Sequence, residues 1–199
     1  PAVLFANHHY FHDSYLVWHL LARALRRPPV VWMEKWREAP LFGPVGALPF
    51  PAEHPGARVA SVRETARRMA ADPRTGLFVF PEGKMHPPEE GLAPFRTDLA
   101  RLVRLLPSAT QWWPVGVYLT WWGEARPTAL LGGAPPSDAP PDDARAVLAG
   151  VLERLAAVRP RHVAAGEAHV LLDGARGAGE RWDLSALAPL FLRWTRRQA

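Results

Sequence analysis

Two short apolar runs, each ending abruptly in a polar cluster, limit what this chain can fold into more than any other feature. Residues 1–6 (PAVLFA) lead straight into NHHYFHD at residues 7–13, and residues 76–80 (GLFVF) lead into PEGKM at residues 81–85. Short apolar runs without alternation, bounded by turn formers, mark strands buried on both faces, as strands in a parallel sheet are. After the first cluster, Leu16, Leu20 and Ala24, with Val17, Leu21 and Leu25 beside them, recur at helical spacing. Strands alternating with helices predict one α/β domain over residues 1–199, a mixed, mainly parallel sheet flanked by helices. Both polar clusters then sit at carboxyl ends of strands, where open sheets bind ligands.

Periodicity and turn formers place the remaining elements. Arg23, Arg26 and Arg27 suit the negative end of the first helix, and Pro28 and Pro29 stop it. Residues 30–33 (VVWM) predict a strand, and residues 41–51 a loop, a short strand and a loop. Ser61 and Glu64 form a capping box that predicts a helix from Ser61 to Ala71. A helix is expected over residues 97–106, with strands at 111–122 and 127–133. Residues 132–141 (GGAPPSDAPP) read as a linker, after which Asp142 and Asp143 open a helix with Leu148, Leu152 and Leu155 on its core face. The last third adds a strand at His169 to Leu172 and a helix from Leu184.

Composition narrows the functional classes. The absence of cysteine excludes disulfides, thiolate metal sites and a cysteine nucleophile. No apolar run reaches the roughly 18 residues of a membrane span. The chain opens at Pro1 on a strand-like run, which leaves room for a preceding segment, an anchor included. A formal charge of +5 rests almost wholly on arginine, Lys35 and Lys84 being the two lysines. Such a surface attracts phosphates, acidic carrier proteins or anionic lipid. Nucleic acid is not expected as a partner, since zinc-ligand spacing, a basic zipper and glycine-aromatic RNA motifs are all missing. Nine tryptophans, with Trp112, Trp113, Trp121 and Trp122 in pairs, suit either a lipid headgroup region or core packing.

Within NHHYFHD, Asp13 follows His8 by five positions across a strand-to-helix turn. The carboxylate can fold back on one imidazole nitrogen and leave the other as a general base. Such a base needs no serine or cysteine if the nucleophile is a substrate hydroxyl. The same segment permits a metal reading through His8, His12 and Asp13, with His9, His54 and His86 as further donors. In the second cluster, backbone N–H groups of the Pro-Glu-Gly turn are expected to face an anion or a developing oxyanion.

Taken in order, the clusters resemble the glycerolipid acyltransferase family, whose best-known members acylate lysophosphatidic acid. NHHYFHD resembles the family's Asn-His-x4-Asp signature and FPEG, residues 80–83, its Phe-Pro-Glu-Gly block. Residues 40–50 (PLFGPVGALPF) resemble the intervening glycine-containing block and residues 113–119 (WPVGVYL) the late proline-centred one. Residues 127–136 (PTALLGGAPP) resemble its terminal strand and Gly-x-Pro turn. The resemblance implies a glycerol-phosphate acyltransferase-like fold and an acyl thioester donor, on coenzyme A or acyl carrier protein. It implies a lipid or glycerol-type hydroxyl acceptor such as a lysophospholipid, no cofactor and no metal. It also implies a place on the cytoplasmic surface of the inner membrane, held peripherally. His8 would be the base and Asp13 its partner, with Asn7, Glu82 and Gly83 contacting substrate.

The departures concern charge. Where the family places arginines after the middle block and two residues after FPEG, this chain has Pro51 or Ala52, and Met85. Lys35, Arg58, Lys84 and Arg96 lie close by and are the cations expected to meet substrate instead. If they do not, a sugar-bearing or neutral lipid alcohol becomes the acceptor. Two rivals remain: a metal-dependent hydrolase on His8, His12 and Asp13, and a lipid-binding module without turnover.

Overall fold

The structure, a computed structural model, describes residues 1–123, 126–141 and 143–174. These fall into two compact units, the larger made of Pro1–Thr120 and Ala129–Val158. At its centre is a six-stranded sheet of β1 (Ala2–Ala6), β2 (Pro29–Met33), β3 (Ala47–Pro49), β4 (Gly76–Val79), β5 (Gln111–Thr120) and β6 (Thr128–Gly133), in the order β3-β2-β4-β1-β5-β6. The pairs β1–β4, β1–β5, β2–β3 and β2–β4 are all parallel. Only residues 121–127 join β5 to β6, too few for a parallel crossover, so β6 turns back antiparallel. The mixed, mainly parallel sheet is the one the apolar runs predict.

Each residue of β1 is buried, because β1 is covered on both faces. Val3 and Phe5 point to one face, where they meet Val30, Leu77 and Val79 from neighbouring strands and Val62 and Met69 of α2 (Pro55–Ala71). Val103 of α3 (Thr97–Val103) and Leu148 of α4 (Ala144–Ala156) complete that core. Ala2, Leu4 and Ala6 point to the other face and pack with Phe78, Val115 and Val117 against Val17 and Leu21. These last two come from α1 (Asp13–His19), which continues as a π-helical turn over Leu20–Ala24. Trp112 and Trp113 of β5 belong to these cores, and the Arg27 guanidinium lies 5.8 Å from the Trp113 ring centroid.

Several expected boundaries move. The second helix starts at Pro55, six residues before Ser61, because a proline at the first helical position costs no hydrogen bond. Ser61 therefore lies within the helix and caps nothing; its hydroxyl donates to the Pro49 carbonyl at 2.5 Å. Glu64 binds Arg67 and Arg68 instead, which hold its carboxyl down at about 2. Asp143 does cap α4, accepting from the Ala146 N–H at 2.9 Å.

The described part of the smaller unit contains α5 (Pro160–Ala164), which periodicity does not indicate. The strand expected at His169 to Leu172 is absent: the segment has no regular structure, and Val170 and Leu172 are exposed, so no burial offsets the cost of ordering a strand there. The helix expected from Leu184 lies outside the described residues.

Gly46, in the middle block, takes φ +106°, and a Cβ there would stand 2.0 Å from the Pro29 carbonyl oxygen. That contact brings β3 against the start of β2. Gly43 in the same block has open space, with Trp36 4.0 Å away. Gly46→Ala is expected to lower unfolding free energy by about 2 kcal/mol or more, while Gly43→Ala changes it little. Urea unfolding of both variants checks this; equal stabilities would mean that the turn at Gly46 carries no special constraint.

Candidate active site

The pairing of β1 with β4 places the two polar clusters together. Phe5 lies opposite Val79, so the residues after β1 run beside those after β4. The His8 N–H donates to Glu82 Oε1 at 2.9 Å, and the His86 N–H donates to the His8 carbonyl at 3.2 Å. Asn7 closes the other side: its amide donates to the Val117 carbonyl at 2.9 Å and accepts from the Val117 N–H at 2.8 Å. It thereby extends the β1–β5 ladder through a side chain.

Asp13, fully buried at the start of α1, directs one oxygen at the turn. Its Oδ2 accepts from the N–H groups of His9 at 2.7 Å and Tyr10 at 2.8 Å, and lies 3.4 Å from His8 Nδ1. A carboxylate only accepts, so His8 Nδ1 carries the hydrogen and Nε2 the lone pair. The His8 ring stacks on Phe80, with centroids 4.2 Å apart. Its side chain is 21% exposed, and Nε2 has no hydrogen-bond partner among the described residues. A general base requires this arrangement, with one nitrogen fixed and the other open.

His8 stands on the wall of a cavity of about 870 Å³. Trp32, Phe42, Phe50, Phe78 and Phe80 make most of that wall apolar. Such a space, within the usual size of small-molecule sites, suits a flexible hydrocarbon with one polar end. Lys35, Arg58, Gly83, Lys84 and Arg96 stand on the same cavity. Asn7, Asp13 and Glu82 do not, so Asn7 and Glu82 hold the turn where substrate contact is expected of them. The Pro-Glu-Gly turn also offers less than expected: Pro81 has no N–H, and Gly83 donates its own to the Phe80 carbonyl at 3.0 Å. Of the three, only the Glu82 N–H lacks a protein acceptor among the described residues.

The metal set His8, His12 and Asp13 does not come together. His12 is exposed at the cap of α1, and Asp13 Oδ2 is taken by backbone donors. Among the described residues a different trio converges, His9, Glu82 and His86. Its chemistry disfavours a cation. Glu82 Oε2 already accepts from the Ala93 N–H at 2.7 Å and from His86 Nε2. The Asn7 amide, oriented by Val117, points its NH₂ at His9 Nδ1, 3.3 Å away, so the His9 hydrogen sits on Nε2, the buried atom that a metal would need bare. Burial pushes the His9 pKa down, against the opposing pull of Glu82 and Asp13. Burial likewise raises that of Tyr10.

A family model described as acyltransferase matches residues 1–118, which include both clusters and the strands that carry them. The chain belongs to this family, that of the glycerolipid acyltransferases. Comparison with curated proteins found no match, and neither did comparison with solved structures.

In this acyltransferase the cations near the cavity differ in how committed they are. Arg58 is 12% exposed, lies 4.7 Å from the Phe50 ring centroid and binds Asp98 at 2.5 Å; its Nε is buried without a partner. Arg96 also binds Asp98, at 2.8 and 3.0 Å, which raises its pKa. Its side chain covers Gly83, where a Cβ would come within 2.2 Å of Arg96 Cδ. Lys35 is exposed and 3.9 Å from Glu38. Lys84 is exposed on the turn itself. Nothing in the residue pattern signals that Asp98 joins Arg58 to Arg96, since a shared carboxylate has no spacing signature. The grip of His86 on Glu82 is equally hidden, although a histidine four positions after the glutamate is a spacing that a search for buried pairs would flag.

Proposed function

We propose that the protein moves a fatty acyl group from an acyl thioester, on coenzyme A or acyl carrier protein, to a lipid or glycerol-type hydroxyl such as that of a lysophospholipid. The observation that carries this reading is the His8 ring, tied at Nδ1 to buried Asp13 and open at Nε2 beside a large apolar cavity. The acyl chain fills the cavity. His8 Nε2 takes the proton of the acceptor hydroxyl while that oxygen attacks the thioester carbonyl carbon, and Asp13 stabilises the resulting imidazolium. The tetrahedral oxyanion collapses, the C–S bond breaks, and the thiolate leaves, regaining a proton from the imidazolium. Protein cofactors have no step in this reaction.

Lys84, Lys35, Arg58 and Arg96 serve the anionic part of donor or acceptor. A phosphate at Arg58 and Arg96 displaces Asp98, whereas a neutral or sugar-bearing alcohol leaves that triad closed. Peripheral contact with a membrane fits the cavity rim, where Phe11 and Leu41 are 68% and 87% exposed. No helix among the described residues is long and apolar enough to cross a membrane.

His8→Ala and Asp13→Asn are expected to slow thioester consumption by about 100- to 10,000-fold, with the fold intact by circular dichroism. Turnover unchanged in either variant would remove the histidine–aspartate base. The double variant Phe11→Asp, Leu41→Asp is expected to lose flotation with anionic phospholipid vesicles; full retention would rule out this rim as the membrane contact.

A further inference from the structure

Three groups grip the Glu82 carboxylate, and the acyl-transfer chemistry uses none of them directly. Oε1 accepts from the His8 N–H at 2.9 Å; Oε2 accepts from the Ala93 N–H at 2.7 Å and from His86 Nε2. The Glu82 side chain is fully buried, and that of His86 nearly so. Neither lines the cavity. His86 also reaches His8 by a second route, through its backbone N–H to the His8 carbonyl at 3.2 Å. The peptide units on both sides of His8 are therefore held by one residue, directly and through Glu82.

We infer that His86 is a positioning residue, setting through Glu82 where the His8 imidazole stands. The inference rests on the reading of His8 as the base. A buried carboxylate needs its donors, since water does not replace those removed. Without the His86 ring, Oε2 keeps only the Ala93 N–H. The carboxylate is then free to turn, and its hold on the His8 N–H loosens. The His8–Asp13 contact is already long, at 3.4 Å, so a small shift of His8 breaks it. Displacement of a catalytic group by about 1 Å costs on the order of 100-fold in rate.

Two further groups lie against the His86 ring, one from the β1 turn and one from its own chain neighbour. The His9 ring lies edge-on to that of His86, with centroids 4.9 Å apart, and Pro87 presents its carbonyl 3.3 Å from His86 Nδ1. The inference requires only that Nε2 donates to Glu82. A glutamine at position 86 can place an amide N–H near the same point, whereas leucine fills the space and donates nothing.

The experiment measures kcat and KM for acyl thioester in the full chain carrying His86→Leu or His86→Gln, with His8→Ala alongside and thermal melts of each. His86→Leu is expected to lower kcat about 10- to 100-fold with the thioester KM within about twofold of the parent, because His86 does not touch the cavity. His86→Gln should restore kcat to within about threefold. If His86→Leu does not fold, His86→Asn replaces it, keeping an amide that falls short of Glu82. Full activity in His86→Leu beside an inactive His8→Ala would overturn the positioning role and leave the base intact. Equal loss in His86→Gln and His86→Leu, a change confined to KM, or one equivalent of tightly bound zinc in the parent protein would also overturn it. Full activity in His8→Ala would instead defeat the reading of His8 as the base.

Discussion

Two buried carboxylates take the backbone N–H groups of three consecutive residues, and the site depends on that arrangement. Glu82 holds His8, while Asp13 holds His9 and Tyr10. A turn leaving a buried strand has N–H groups that no ladder pairs, and leaving them unpaired is costly. Ionised acceptors pair them more strongly than neutral ones would. Because each carboxylate comes from a different chain segment, the turn is clamped from two directions. The imidazole of His8 inherits its place from this clamp, with Nδ1 against Asp13 and Nε2 without a partner among the described residues.

The sheet makes the clamp available. Parallel strands β1 and β4 end side by side, so the turns that leave them meet, and β5 supplies the third wall through Asn7 and Val117. With β1 buried on both faces, the chain can emerge polar only at the strand's ends, and at the carboxyl end it does so as the NHHYFHD cluster. The cavity opens there for the same reason: Val31 and Met33 of β2, Ala47 of β3 and Phe78 of β4 line it beside Trp18 and Tyr15 of α1. Apolar packing thus provides the cavity, and the turns bring His8 to its wall.

Much of this is legible in the residues. An apolar run ending in a polar cluster reveals a strand end, and two such runs in an alternating pattern put both clusters at carboxyl ends; that the two strands are neighbours is shown by the β1–β4 pairing. The His8–Asp13 pairing is legible because the two are local, five positions apart across one turn. The features that escape a sequence reading are non-local or depend on a competing rule. For Asn7 the family resemblance implies a substrate contact, and nothing in the chain announces its bond to Val117, 110 positions away. For Glu82 the family resemblance implies a substrate contact; its inward rotation is decided by where Ala93 and His86 return, which no local pattern announces. Ser61 and Glu64 match a helix start, yet Pro55 has already begun the helix. Residues 169–172 are apolar enough for a strand but stay exposed, so no burial holds them extended.

On the proposed mechanism, acceptor hydroxyl and acyl carbonyl meet at His8 Nε2, on the wall of the cavity. A crystal structure with a non-hydrolysable thioether analogue of the acyl donor and an acceptor alcohol bound tests this most directly. The mechanism predicts the acyl chain between Trp32, Phe50 and Phe78, with the acceptor oxygen within about 3.2 Å of Nε2. An acyl chain seated elsewhere, or an acceptor oxygen out of reach of that nitrogen, would contradict it.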